Sequence, residues 1–238
     1  MESMKIAILA DIHGNDLALR AVLREAKAAG AKQLLILGDS VGYYYRCHQV
    51  LRLLEAWPKR MLKGNHEVML ERAYRNPGSA KLITKKYGSG IVIALKRLKN
   101  DQLETLFSLP STQKLLFSRL RICICHGAPW CVDTYIYPDA NKSILNRCLA
   151  GKEDFVFAAH THRPFMFKKG DSVLVNVGSV GQSRQRGGSA QWVLFDPRRR
   201  VVCFKTTFYN PAPIVREVKK RDPHLPFLWK VLERQRKS

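Results

Sequence analysis

The chain opens on a continuous apolar run, KIAILAD at residues 5–11, and then changes period. In the following NDLALRAVLREAKAAG, Leu19, Val22, Leu23 and Ala26 recur at helical spacing, so a buried strand leads into an amphipathic helix. Asn15 is placed to cap that helix and Gly30 to end it. QLLILGD at 33–39 is a second buried strand. The opening is therefore a β-α-β unit with a parallel pair, and a parallel sheet needs helices on both faces. RMLKGNHE follows, residues from about 66 to 107 read as helical, and RLRICICHG and DFVFAAH are two more buried strands. Past residue 163 the texture changes. PFMFKKGDSVLVNVGS alternates around a Lys-Gly-Asp turn as an antiparallel hairpin, with AQWVLFD and VVCFKTTFY continuing it. The basic last stretch, with Pro211, Pro213, Pro223 and Pro226, predicts one or two short helices. With no repeat, low-complexity tract or linker, residues 1–238 read as a single α/β domain with a mixed second sheet and a basic C-terminal extension from about 211.

Ligands of open α/β sheets gather beyond the carboxyl ends of the strands, where loops face outward. The residues after the apolar runs are Asp11 and His13, then Asp39, then Asn65 and His66, then His126, then His160 and His162. Five of the seven histidines fall in this set, leaving His48 and His224 elsewhere. Any one of the five fits a hydrogen-bonded structural role; together they read as metal ligands or proton carriers. Imidazole and carboxylate donors without a thiolate cluster suit a divalent transition ion such as Mn, Fe, Zn, Ni or Co. Seven donors (Asp11, His13, Asp39, Asn65, His126, His160 and His162) exceed the need of one ion and fit two that share a carboxylate. Such a pair clamps the attacking and leaving oxygens of a phosphoryl displacement and acidifies water, which is hydrolase chemistry.

Charge narrows the partners. Forty-one Lys and Arg against nineteen Asp and Glu give +22, a positive potential that attracts phosphorylated small molecules, nucleic acid or anionic membrane surfaces. A composition 46% hydrophobic and 25% charged excludes a disordered chain. The six cysteines form no CxxC pair and read as reduced core residues. No apolar run approaches the roughly 18 residues of a membrane helix. IAILA, cut short by Asp11, is also too short for a signal-peptide core. The expected location is cytoplasmic.

DIHGN, GDSVG, GNHE, CHGAP, AHTHRP and NVGSVGQ, in that order between residue 4 and about 195, resemble the calcineurin-like metallophosphoesterase superfamily, in particular its small stand-alone bacterial and archaeal phosphodiesterase-type members. The resemblance implies a four-layered α/β/β/α sandwich of two mixed sheets with a dinuclear metal site at the strand ends. It assigns Asp11, His13 and His162 to one ion and Asn65, His126 and His160 to the other, with Asp39 bridging. His160 and His162 then project from the same side of an extended segment, and Thr161 faces away. A metal-bridging hydroxide is the implied nucleophile, and His66 the implied donor of a proton to the leaving group. The phosphoprotein-phosphatase branch has an Asp where this chain has Gly42 and an arginine where it has Lys63, so its bidentate phosphate grip is not reproduced. The glycine usual before the first histidine of the AHTH motif is Ala159. Lys63 and Arg184 are the candidate substrate contacts, Arg186 lies on the same loop as Arg184, and Tyr43, Tyr44 and Tyr45 offer faces on which a base can stack. The basic patches KLITKKYG, LKRLK and PRRR allow nucleic acid as a partner, although no known binding module accompanies them. The expected activity is hydrolysis of a nucleotide-like phosphodiester with two divalent ions, manganese first among them. The alternatives are a phosphomonoesterase, a dinucleoside polyphosphate hydrolase, or a non-catalytic protein- or nucleic-acid-binding scaffold.

Overall fold

The computed structural model describes residues 4–117 and 119–235. β1 (Lys5–Leu9), α1 (Asp16–Ala28), β2 (Ala31–Ile36), α2 (Cys47–Glu55) and β3 (Lys59–Met61) open the chain. Four helices follow: α3 (Asn65–Arg75), α4 (Pro77–Tyr87), α5 (Gly90–Arg97) and α6 (Asn100–Ser108). Next come β4 (Thr112–Phe117), β5 (Leu120–Cys125), α7 (Lys142–Cys148), β6 (Phe155–Ala158), β7 (Phe165–Lys169) and β8 (Ser172–Asn176). β9 (Ser189–Asp196), β10 (Val201–Phe208), α8 (Ala212–Arg221) and α9 (Phe227–Lys230) complete it. One sheet has the order β10-β9-β1-β2-β3 and the other β4-β5-β6-β8-β7, and both are mixed.

Strand alternation builds the layers. Ile6 and Ile8 of β1 face inward and pack with Ile122, Ile124, Phe155 and Phe157 of the opposite sheet, while Ala7 and Leu9 face out against Leu19, Val22 and Ala26 of α1. On the second sheet Cys123, Cys125, Val156 and Ala158 face out against Leu145 and Cys148 of α7. Both faces of each central strand are therefore dry, which is why those runs are continuously apolar in sequence. The result is the expected α/β/β/α sandwich. Its middle is locked by Phe155, Phe157 and Phe195, with Phe195 edge-on to the other two at 4.9 and 5.1 Å. Asn15 caps α1 through its side-chain oxygen, and Gly30, at φ +82°, follows the helix end.

Three expectations change. The two hairpins do not form one continuous sheet: β7-β8 joins the second sheet, whereas β9-β10 crosses over and pairs β9 antiparallel with β1. Sequence alternation marks a hairpin but not the edge it adds to. The tyrosine run is buried, with Tyr44 donating to the Leu228 carbonyl and Tyr45 to the Asp222 carboxylate, so neither presents a face to a base. Cys131 and Cys203 lie exposed, while the other four cysteines are buried.

The C-terminal helices pack on that run. Ile214, Val215, Val218, Leu228, Val231 and Leu232 form one cluster with Tyr43, Tyr44 and Tyr45. The last three residues of the basic tail lie outside the described residues. Among the described residues, no helix is long and apolar enough to cross a membrane. Asp222 fastens the attachment: 1% exposed, it accepts from the Tyr45 hydroxyl at 2.7 Å and from both the Ser89 amide and the Ser89 hydroxyl. Asp222→Ala leaves three donors without their acceptor, and chemical denaturation should show a loss of about 3 kcal/mol. A loss under about 0.5 kcal/mol, the size of a typical surface substitution, would mean that the helices are held by apolar packing alone.

Candidate metal centre

Every donor singled out in the sequence sits just past the end of a strand. β1 leads to Asp11 and His13, β2 to Asp39, β3 to Asn65 and His66 at the start of α3, β5 to His126, and β6 to His160 and His162. All eight side chains are buried. Positions 149 residues apart meet, with His13 Nε2 3.1 Å from His162 Nε2. Asp11, His13 and His162 each offer one atom within 4.8 Å of the others, as do Asp39, His126 and His160. Asn65 Oδ1 is 3.0 Å from His126 Nε2. Asp39 Oδ2 stands between the sets, 3.8 Å from His13 Nε2 and 3.4 Å from His126 Nε2. A third set of the same reach joins His66 to His13 and Asp39, so distance alone admits His66 as a ligand as well.

Left-handed backbone, not extended strand, aims most of these groups. Asp11, His13, Asp39, His160 and His162 have φ between 51° and 69°. This corrects the picture of His160 and His162 on an extended segment: β6 stops at Ala158, and two αL residues then turn the chain sharply. The buried Thr161 between them turns to Asn176, whose amide donates to its hydroxyl at 3.1 Å. A non-glycine residue in αL costs roughly 1–2 kcal/mol, and such strain clusters at functional sites.

Hydrogen bonds fix which atoms face the centre. His13, His126 and His162 place Nδ1 on the carbonyls of Val41, Leu37 and Gln182 at 3.2, 2.7 and 2.8 Å. A carbonyl only accepts, so each Nδ1 carries the proton and Nε2 is turned inward. Each carboxylate likewise has one engaged oxygen: Asp11 Oδ2 accepts from the His160 amide and Asp39 Oδ1 from the His66 amide. Asp11 Oδ1 and His160 Nε2 are buried with no hydrogen-bond partner among the described residues.

Burial, with the His66 charge second, holds His13 well below the usual imidazole value, and burial, with Arg184 second, takes His162 down to about 3. Both Nε2 atoms are therefore bare, and two lone pairs face each other at 3.1 Å with no proton between them. Burial and the His126 charge depress His160 to about 4, and burial pushes Asp11 up to about 8. Burial also raises Asp39 and lowers His126, but mutual attraction wins for this pair: Asp39 is held well below the carboxylate range and His126 is pushed up to about 10. The protons on His126 and, at neutral pH, on Asp11 lie among the bare imidazole nitrogens of His13, His160 and His162, and a bound cation would displace them. Converging bare nitrogens and carboxylate oxygens are what divalent cations relieve, so the residues present fit a metal pair.

The sequence reading passed over two groups. Glu67, fully buried in the GNHE motif, accepts from the amides of Asp39, Ser40, Val41 and Gly64 at 2.7–3.3 Å and so ties the β2 turn to the start of α3. Its spacing, three residues past Gly64, was the available signal, being that of a helix-capping acid. Tyr135, half exposed, packs its ring 3.9 Å from that of His160, and nothing in its surroundings in the sequence announces it. Gly42 also acquires a reason: a Cβ there would lie 1.9 Å from His66 Nδ1. Of the candidate substrate contacts, Lys63 is held by Glu71 at 3.0 Å, whereas Arg184 has no acidic partner among the described residues and stands close enough for its charge to act on Asp11, His160 and His162.

Residues 4–199 match the calcineurin-like phosphoesterase superfamily domain. The chain is similar to an uncharacterized protein of Methanocaldococcus jannaschii, 29% identical over 220 residues, or 83% of this chain and 85% of that protein. Its fold is similar to that of a hypothetical protein of Pyrococcus horikoshii OT3, with a TM-score of 0.84 at 22% identity over 99% of this chain and 100% of the other. A metallophosphoesterase of Sphaerobacter thermophilus superposes with a TM-score of 0.76 at 23% identity, over 96% and 98%.

Two outcomes are expected of this geometry. Manganese added to metal-free protein at a hundredfold over its Kd should stabilise it by about 2.7 kcal/mol, a rise of about 5–10 °C in Tm. Asp39→Asn should lose most of that rise, and a thermal scan that shows no shift in the parent would sink the metal assignment. Glu67→Ala strands four buried amides and should cost at least about 3 kcal/mol by urea denaturation. An unchanged midpoint would show that the β2 turn keeps its shape unaided.

Proposed function

The chain belongs to the calcineurin-like phosphoesterase superfamily, and from that premise we propose that it is a dinuclear metal-dependent phosphoesterase hydrolysing a nucleotide-like phosphodiester. The family depends on a dinuclear metal centre and acts on phosphorylated substrates. The observation that carries the proposal is the meeting of bare donors from five turns in one buried place. Asp11, His13 and His162 would hold one cation, Asn65, His126 and His160 the other, and Asp39 both. When bound, the pair supplies Lewis acidity toward water and toward phosphoryl oxygens, and manganese suits the oxygen and imidazole donors.

The protein's own groups do the rest. His66 is set apart from the three carbonyl-anchored histidines: its Nδ1 has no hydrogen-bond partner among the described residues, its Nε2 is 4.0 Å from Asp39 Oδ2, and its ring is held by those of His13, Tyr43 and Tyr87. It would hold a proton at Nε2 for the leaving-group oxygen. Tyr43, 9% exposed, walls that side against water. Arg184 adds the positive charge that a dianionic transition state needs. Tyr135 and Tyr137, stacked with centroids 6.0 Å apart, give a base or aryl group a face beside His160, a role that the buried Tyr44 and Tyr45 cannot fill.

With manganese, bis(p-nitrophenyl) phosphate should be cleaved faster than p-nitrophenyl phosphate. His66→Ala should lower kcat by about 10²–10⁴ while bound metal stays near two per chain. Loss of one ion per chain in that variant would make His66 a ligand instead of a proton donor. Activity that survives Asp39→Ala would place the chemistry elsewhere.

A further inference from the structure

Beside the centre runs a cleft lined by arginines. Arg163 follows directly on His162, and Arg184 and Arg186 come from the loop after β8. Arg234 reaches in from the C-terminal segment, and an exposed ring, Phe208, completes the lining. None of the four guanidiniums has an acidic partner among the described residues, whereas Arg20, Arg46, Arg75, Arg121, Arg200 and Arg221 each have one. The loop that carries two of them is built, not loose. The Gly187 amide donates to the Arg234 carbonyl at 2.8 Å, the Arg234 side chain donates to the Arg184 carbonyl at 2.6 Å, and the Ser189 hydroxyl donates to the Arg186 carbonyl at 2.6 Å. A Cβ at Gly187 would meet the Leu232 carbonyl oxygen at 2.2 Å, so the loop and the C-terminal segment touch backbone to backbone. Gln191, 3% exposed, lines the same cleft, and its side-chain oxygen has no hydrogen-bond partner among the described residues. Arg186 lies over the Phe208 ring, 4.9 Å from its centroid.

We infer that this cleft is a second phosphate subsite, which holds the phosphate adjoining the scissile ester in the same substrate and so sets a preference for nucleotides with more than one phosphate. The inference rests on the phosphodiesterase reading and deepens it. Arg184 connects the two places, since it lines the cleft and its charge reaches the metal donors. Unpaired guanidiniums are the groups that bind phosphate through paired hydrogen bonds. An aromatic ring with a guanidinium over it extends that grip to a base. A net charge of +22 draws such polyanions in. An adjoining phosphate occurs along a nucleic-acid strand and within a dinucleoside polyphosphate.

The test compares dithymidine monophosphate with its 5′-phosphorylated form on the manganese-loaded full chain. The parent should favour the phosphorylated dinucleotide by about tenfold or more in kcat/KM, the worth of one charge-assisted hydrogen bond, and the preference should reside in KM. Arg163→Ala combined with Arg186→Ala should erase that preference, while Arg52→Ala on α2 should keep it. Equal kcat/KM for the two dinucleotides in the parent, or a variant that lowers both in proportion, would overturn the inference. A second arm stands if no ester is cleaved: fluorescein-labelled oligothymidine bound to metal-loaded His66→Ala protein, read by anisotropy. There the two arginine substitutions should weaken binding by about a hundredfold and reduce the salt dependence by roughly one counterion each. Unchanged affinity would overturn the subsite even if the phosphodiesterase reading survives. If the subsite holds, diadenosine tetraphosphate outcompeting the oligonucleotide for that site identifies a polyphosphate chain as its ligand, and the reverse order a strand.

Discussion

The structure depends on a repulsion. Two imidazoles that each donate their N–H from Nδ1 to a backbone carbonyl point the lone pairs of their Nε2 atoms at each other across 3.1 Å, and carboxylate oxygens converge on the same space. In water such groups would be solvated; buried, they have only each other. Five of the donors also sit in left-handed backbone, which at about 1 kcal/mol each amounts to roughly 5 kcal/mol, comparable with the whole net stability of a small domain. A site this unfavourable persists because the sandwich over-determines it. Strands fixed by an apolar layer on each face set where the turns begin, and Glu67 draws four amides of the two turns around Asp39 onto one carboxylate. Burial acts on that carboxylate in the opposite sense, with the neighbouring Asp39 charge adding to it, and pushes it up to about 7. It is therefore held in place by hydrogen bonds against its own desolvation. Cations at the centre would remove the repulsion that the fold maintains without them.

What could be read in the sequence follows from which constraints are local. The buried parallel strands were legible because a strand with both faces covered must be apolar at every position, as in KIAIL and FVFA. The donors were legible because they stand immediately after those runs. What lay between the strands was not. The edge chosen by β9 depends on which neighbour leaves β1 unpaired, and no residue in AQWVLFD records that. The extended geometry expected of the AHTHRP segment failed because αL backbone at a histidine is imposed from outside, here by the Asp11 carboxylate on the His160 amide and the Gln182 carbonyl on the His162 ring. The tyrosine run misled for a related reason. Aromatic residues beside a site read as platforms, yet whether a ring is covered is decided 170 or more residues away, by Asp222 and Leu228.

That distant covering bears on His66. A relative that orients this histidine with a carboxylate needs a side chain at the place of Gly42, and here a Cβ would collide with the ring. The imidazole is oriented by shape instead. It packs edge-on to His13 and to Tyr87, at 4.6 and 5.6 Å, and tilted against Tyr43 at 4.6 Å. Tyr43 in turn meets Phe227 of α9 at 6.2 Å and belongs to the cluster formed by the C-terminal helices. Those helices lie beyond residue 199, where the family match ends. The same segment clamps the loop bearing Arg184 and Arg186 through the Gly187 amide. A carboxylate fixes a ring by one strong, directional bond, whereas packing fixes it only while every neighbour stays in place. Without an acid at position 42, the wall behind His66 must be rigid, and helices that the sequence marks as a basic extension become part of what shapes the site.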